Sequence, residues 1–79
     1  MRPNRMKDDL TSAELRLARR RHIFTITLET ERGYIVTCNR LPAGGGELVI
    51  LSQAPECVRP STARRYGARL VRMALGHKP

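Results

Sequence analysis

Large aromatic side chains are almost absent from this chain of 79 residues, which has no Trp, one Phe and two Tyr. The core must therefore be built from Leu, Ile and Val. A chain of this length is near the lower limit at which one core is stable without a disulfide, a metal or a partner chain. We expect one small domain, and so thin a core favours an additional oligomer interface.

Cysteine and long hydrophobic runs are scarce as well. Cys38 and Cys57 are too few for a disulfide framework and lack the C-x-x-C spacing of zinc or redox sites, which indicates reduced thiols. No apolar run approaches the ~18 residues of a membrane span, and Asp8 and Asp9 stand where a signal peptide would be hydrophobic. We therefore expect a cytoplasmic protein without membrane contact.

Motifs for catalysis or cofactor binding are missing from the sequence. The run Gly44-Gly45-Gly46 is not followed by the G-K-[ST] of a phosphate-binding loop, and we interpret it as a hairpin loop. His22 and His77 have no spacing that favours a metal pair or a general base, and no base is placed beside either cysteine. We expect no enzyme activity, no cofactor and no metal site.

The N-terminal part of the chain divides into an arm and the start of a domain. Residues 1–9 have mixed charge and no periodicity, which predicts a flexible basic arm, and residues 10–79 form the single domain. Thr11 and Glu14 match a capping box, so we expect a short helix over about residues 12–20.

Three alternating segments predict an antiparallel meander with strands at residues 23–29, 34–39 and 47–52. Alternation puts Phe24, Ile26 and Leu28 on one side of the first strand, and we place them with Val36 against the C-terminal helix. The third strand is apolar on both sides, so the opposite sheet face also needs cover. The N-terminal helix, a second copy of the chain or a target protein must cover it, and we favour a homodimer through Ile35, Val49 and Leu51.

The C-terminal helix has the clearest periodicity in the chain. We expect it to run from Ser61 as N-cap to about Leu75, before Gly76 as the left-handed residue that ends it. Its apolar stripe consists of Ala63, Tyr66, Gly67, Leu70, Val71 and Ala74. The sequence therefore predicts an α+β fold in which a three-stranded meander packs against this helix, with the order α-β-β-β-α.

Charge is unevenly distributed along the chain, whose formal net charge is +8. Residues 57–79 hold six basic and no acidic side chains, residues 23–56 hold two and four, and residues 1–22 hold seven and three. Two basic ends attract polyanions and raise encounter rates with them, whatever the fold.

Arginines form a stripe on the C-terminal helix. Arg65, Arg69 and Arg72 recur at i, i+4 and i+7, opposite the apolar side, so we expect them to point to solvent. Arg64 and Arg65 lie in the first turn, where positive charge opposes the helix dipole unless an anion binds. The guanidinium fork binds phosphate or carboxylate with two hydrogen bonds. We predict anion binding by Arg64, Arg65, Arg69 and Arg72, with Arg16, Arg19 and Arg20 as auxiliary contacts.

The predicted element order and the stretch from Ser61 to Arg69 resemble a double-stranded-RNA-binding domain, in which the start of the last helix meets phosphates. A helix that lies in the major groove of DNA is an equal alternative. Alternation puts Thr, Glu and Asn side chains on the solvent side of the first two strands. Such a surface offers no aromatic platform for stacking single-stranded bases.

The leading prediction is a small, basic, non-enzymatic protein that binds nucleic acid through phosphates. The alternative is a small inhibitor or adaptor of the phage or mobile-element type, similar in kind to anti-CRISPR proteins, that blocks an acidic or nucleic-acid-handling surface of a larger protein or nucleoprotein machine. A third interpretation is a structural subunit whose arginines keep an oligomer soluble. Steep salt dependence would favour the first of these.

Overall fold

The structure, a computed structural model, describes residues 10–76. Its elements in chain order are α1 (Ser12–Arg20), β1 (Ile23–Glu29), β2 (Tyr34–Arg40), β3 (Val49–Gln53) and α2 (Pro60–Ala74). The α-β-β-β-α order and the α+β class are thereby confirmed, and so are the predicted bounds of α1 and β1. The predicted arm at residues 1–9 lies outside the described residues.

The capping box begins α1 as the sequence indicates. Thr11 Oγ1 accepts the backbone N–H of Glu14 at 3.1 Å, and Glu14 Oε1 accepts the N–H of Thr11 at 2.8 Å. These bonds satisfy two donors that a helix start leaves open. At the other end, His22 adopts a left-handed φ of 60° and turns the chain directly into β1.

The sheet has the order β1-β2-β3 with antiparallel pairing, as expected of a meander. Thr27 pairs with Val36, and a Cβ built on Gly67 of α2 would lie 3.6 Å from side-chain carbons of both Thr25 and Val36. Thr25 and Val36 therefore face α2. The predicted grouping of Phe24 with Val36 is wrong.

Hairpin geometry explains this correction. Glu29 pairs with Tyr34, so odd-numbered residues of β1 share a face with even-numbered residues of β2. The more apolar side of β1 points away from both helices as a result. Its side chains remain accessible, with Phe24 40% and Leu28 56% exposed. We call this surface the open face; its large apolar members are Phe24, Ile26, Leu28, Ile35 and Ile50.

Of the three residues named for the homodimer, Ile35 lies on the side of the sheet away from α2 as predicted, whereas Val49 does not. Ile35 is half-buried and pairs with Leu28 on the open face. Val49 pairs with Arg40, which alternation puts on the α2 side of the sheet, and β3 begins there instead of at residue 47. Leu51 is the extra residue where the register shifts beside Cys38 and Asn39. The homodimer itself stays a prediction.

The start of α2 also differs from the prediction. Pro60 is its first residue and Arg59 its N-cap, with no capping hydrogen bond from a side chain, so Ser61 lies inside the helix. A proline at the first position already has a helical φ, so the helix begins nearer the N-terminus of the chain than predicted. Gly76 ends the helix with a φ of 90°, and its N–H donates to the carbonyl of Met73.

One glycine holds the hairpin against the segment that leads to α2. Tyr34 and Cys57 exchange backbone hydrogen bonds of 2.7 and 2.9 Å. Gly33 has a φ of 151°, and a Cβ there would overlap the carbonyl oxygen of Cys57. Cys57 is buried at this contact.

Candidate nucleic-acid interface

The outer side of α2 presents most of the predicted arginines. Arg64, Arg65 and Arg69 are exposed, while Gly67 and Leu70 on the other side are buried against the sheet. The first turn of α2 has no acidic side chain. Amphipathic periodicity thus correctly separates the core side of α2 from its arginine side.

Arg69 lies over an aromatic ring on this surface. Its guanidinium carbon lies 6.0 Å from the centroid of the Tyr66 ring. Tyr66 is half-buried and packs against the core, so the ring forms a fixed support. A cation at this distance is attracted by the ring face while its N–H donors stay available to solvent or a ligand.

Arg72 contradicts the prediction that it points to solvent. Its Nε donates to Glu14 Oε2 at 2.9 Å and its Nη2 donates to Glu14 Oε1 at 3.2 Å. The side chain of Arg72 is 27% exposed, and that of Glu14 is 14% exposed. Arg72 therefore joins α2 to α1 through a two-pronged ion pair. A helical wheel drawn for α2 alone does not include the neighbouring helix that supplies the carboxylate.

Glu14 serves the capping box and this ion pair at the same time. Hydrogen bonds from Arg72, followed by the backbone bond from Thr11, lower the pKa of the Glu14 carboxyl from 4.5 to about 2. The hydrogen bonds between Arg72 and Glu14 also raise the pKa of Arg72. The pair is thus fully charged at neutral pH and clamps the two helices on one side of the sheet.

A groove of about 650 Å³ separates the two helices over β1. Arg19 of α1 and Arg64 of α2 both line it, with Thr25 and Thr27 of β1. The structure therefore brings an auxiliary arginine and a predicted principal one to the same groove. Arg16 and Arg20 are exposed on α1 but do not line it.

The net charge of the helix layer follows from these positions. Together α1 and α2 contain seven Arg and one acidic residue, Glu14. Glu14 is thus the one carboxylate on these two helices, and it binds Arg72. The predicted basic side of α2 therefore extends to α1, which the sequence suggested only as an auxiliary surface.

Side chains expected on the solvent side of the sheet are distributed otherwise. Thr25 and Thr27 lie under the helices, in the floor of the groove. Asn39 is buried, and its side-chain amide donates to the carbonyl oxygens of Phe24 and Thr37. Because Asn39 pairs with Phe24 and Thr37 with Ile26, these two polar residues share the open face with its apolar side chains, and Phe24 is the one aromatic ring there among residues 10–76.

Within residues 10–76, no three His, Cys, Asp or Glu side chains lie close enough to hold a metal ion together. No helix in that part of the chain is long and apolar enough to cross a membrane. No protein family, curated protein or solved structure matches this chain. A function for the candidate interface therefore has to be inferred from the side chains that form it.

Proposed function

We propose that the protein binds nucleic acid without catalysis, through phosphate contacts made by the helix layer. The principal contacts are Arg64, Arg65 and Arg69 on α2, and Arg19 extends the surface across the groove. The observation that supports this most strongly is the charge composition of the layer, in which α1 and α2 hold seven Arg and one acidic residue, Glu14. Glu14 binds Arg72, which is therefore not among these contacts.

The chemistry of these side chains favours phosphate as the ligand. A surface that serves solubility mixes charges of both signs, whereas every charged side chain of α2 is an arginine. The start of α2 at Pro60 puts Arg64 and Arg65 just beyond the first turn and not in it, and that turn has neither an acidic side chain nor a side-chain cap. A bound phosphate would accept paired hydrogen bonds from a guanidinium.

The experiment is a binding titration of the protein with fluorescent duplex DNA, duplex RNA and single strands. Phosphate-driven affinity should fall by orders of magnitude between about 50 and 200 mM salt. Arg69→Ala should weaken binding to every sequence alike and reduce the log-log salt slope by about 0.9 for a B-DNA phosphate contact. Arg32→Ala, in the exposed β1–β2 hairpin, is the matched control because it removes the same charge away from the helix layer.

Two results would count against this function. The first is absence of binding to all probes at about 50 mM salt. The second is an equal loss of affinity in the Arg69 and Arg32 variants, since net charge alone would then explain the binding. A preference between the duplex probes would distinguish RNA from DNA.

A second candidate function is supported by the open face. A small inhibitor or adaptor needs an exposed apolar surface with which to dock on a larger protein, and Phe24, Leu28 and Ile50 are 40%, 56% and 63% exposed. The basic helices, on the other side of the sheet, suit an acidic target. Capture of one stoichiometric protein that resists nuclease treatment would support this candidate over nucleic-acid binding.

A further inference from the structure

β1 is an edge strand whose outer side has no partner among residues 10–76. It pairs only with β2, which lies between β1 and β3. Six of its seven residues, all but Ile23, are exposed. An edge of this kind presents a row of unpaired backbone N–H and C=O groups.

The hydrogen-bonding pattern between β1 and β2 shows which backbone groups of β1 are unpaired. Thr30 donates to the carbonyl of Gly33 at 2.7 Å, and Leu41 donates to the carbonyl of His22 at 3.0 Å. In an antiparallel pair every second residue exchanges hydrogen bonds with its opposite residue. Even-numbered residues of β1 therefore bond to β2. Odd-numbered residues, Thr25 and Thr27 among them, direct their N–H and C=O groups to the outer edge.

The sequence of β1, IFTITLE, is nearly symmetric about Ile26. If a second β1 lies antiparallel on a two-fold axis at Ile26, Phe24 faces Leu28 of the other copy and Thr25 faces Thr27 of the other copy. The Thr pairs are then the hydrogen-bonded ones, as the free edge requires. Apolar side chains meet on the open face and Thr side chains meet on the helix side, both of which are favourable cross-strand pairs.

Other registers fit less well. A shift by one residue would oppose odd-numbered residues to even-numbered ones, so the free hydrogen-bonding groups would not face each other. A shift by two keeps the parity but leaves part of each strand unpaired. Centring on Ile26 pairs all seven residues and, beyond the strand, sets Arg21 opposite Glu31 of the other copy.

The two edges of the sheet differ in protection. Edge strands are normally protected by Pro, Lys, a bulge or short length. β1 has seven residues, with neither Pro nor Lys and no register shift in its pairing with β2. β3, at the other edge, has five residues and a register shift. Association through the edge is therefore expected at β1.

We propose that two copies of this chain pair through β1 to form one six-stranded antiparallel sheet with its two-fold axis at Ile26. About eight backbone hydrogen bonds join the copies, two for each hydrogen-bonded pair of odd-numbered residues. The axis is perpendicular to the sheet, so the helices of both copies lie on the same side. The dimer does not depend on nucleic-acid binding.

Cysteine cross-linking tests the register directly. Ile26→Cys puts two thiols opposite each other in a non-hydrogen-bonded pair, about 4.5 Å apart at Cα, which is within the range that a disulfide spans. Leu28→Cys is the matched control on the same face of the same strand. Its two thiols would be about four residues apart along the strand, roughly 13 Å, and could not bond. Cys38 and Cys57 are buried, and the unmodified chain gives the background.

The proposal predicts a disulfide-linked dimer for Ile26→Cys under mild oxidation and at least tenfold less for Leu28→Cys. Equal cross-linking of both variants would overturn it, because it would indicate that the open faces pack on each other. A chain that sediments as a monomer at about 100 μM would also overturn it.

A second pair of variants tests the backbone bonds. Thr27→Pro removes an outward N–H that the β1–β2 ladder does not use, and an edge strand tolerates proline there. Thr27→Val keeps that N–H. Sedimentation should show a monomer for the proline variant and a dimer for the valine variant, with circular dichroism reporting the sheet in both. Dimerisation of a folded proline variant to the same extent would contradict the pairing.

Discussion

Replacement of Arg72 by Met removes the charge that binds Glu14 and keeps most of the side-chain stem. The pKa of Glu14 falls from 4.5 to about 2 in the folded protein, which corresponds to about 3 kcal/mol if all of it stabilised the fold. Thr11 contributes part of this shift, and solvent screens a pair whose Arg72 side chain is 27% exposed. We therefore expect Arg72→Met to lower the free energy of unfolding by about 1–2 kcal/mol.

Thermal unfolding measures this loss, with Arg69→Met as the matched control. In a domain of this size, 1 kcal/mol shifts the Tm by about 4–8 °C, so Arg72→Met should lower it by roughly 5–15 °C. Arg69 is exposed and lies over Tyr66. Its replacement removes the same charge and should change stability by no more than about 1 kcal/mol. Nucleic-acid affinity should respond more to Arg69 than to Arg72.

The stabilisation by the Glu14–Arg72 ion pair should depend on pH. The pKa of Glu14 is lower in the folded state, so the ion pair stabilises the protein fully above about pH 4.5 and this contribution is lost as pH falls toward 2. The difference in Tm between the unmodified protein and Arg72→Met should therefore narrow across that interval. A difference that is unchanged at pH 2, or an equal loss of stability in the Arg69 variant, would refute the role assigned to the ion pair.

Three further substitutions test the local geometry by thermal or urea unfolding. Thr11→Ala removes the N-cap bond to Glu14 and should cost about 1 kcal/mol. Gly67→Ala places a methyl group at ordinary contact distance, 3.6 Å from the nearest side-chain carbons, and should stabilise α2 by about 0.5–1 kcal/mol. Gly33→Ala should lower the free energy of unfolding by at least about 2 kcal/mol. Its Cβ would overlap the carbonyl oxygen of Cys57, and the positive φ at this position is unfavourable for alanine.

Local signals in the sequence were sufficient for the elements and their order, and insufficient for the side of β1 that faces the helices. The capping box and the alternation of IFTITLE depend on neighbours a few residues apart, and both gave the correct bounds. The face of β1 that meets α2 depends instead on the register set by Glu29 and Tyr34 across a hairpin. The more apolar side of a strand is a reasonable choice for the core side, and here it was the wrong one.

The candidate site divides in the same way. Periodicity predicted that Arg65 and Arg69 are exposed, because that property depends on α2 alone. The position of Arg72 on the same stripe did not reveal its ion pair, because Glu14 lies 58 residues earlier in the chain. A long-range ion pair has no short-range sequence signal. Glu14 serves both the capping box and the ion pair. Because the capping box already accounts for a glutamate at this position, the sequence gives no reason to look for a second role.

The open face connects the stability of this domain with its association. Phe24, the one Phe of the chain, is 40% exposed, and the side chains buried most completely are only Val36, Asn39 and Cys38. A core without a large aromatic contributes little hydrophobic stabilisation, while the surface that could contribute more lies on β1 and β3. Pairing through β1 sets Phe24 against Leu28 of a second copy and buries part of that surface. Folding and dimerisation should therefore be thermodynamically linked, with the Tm rising as the protein concentration rises.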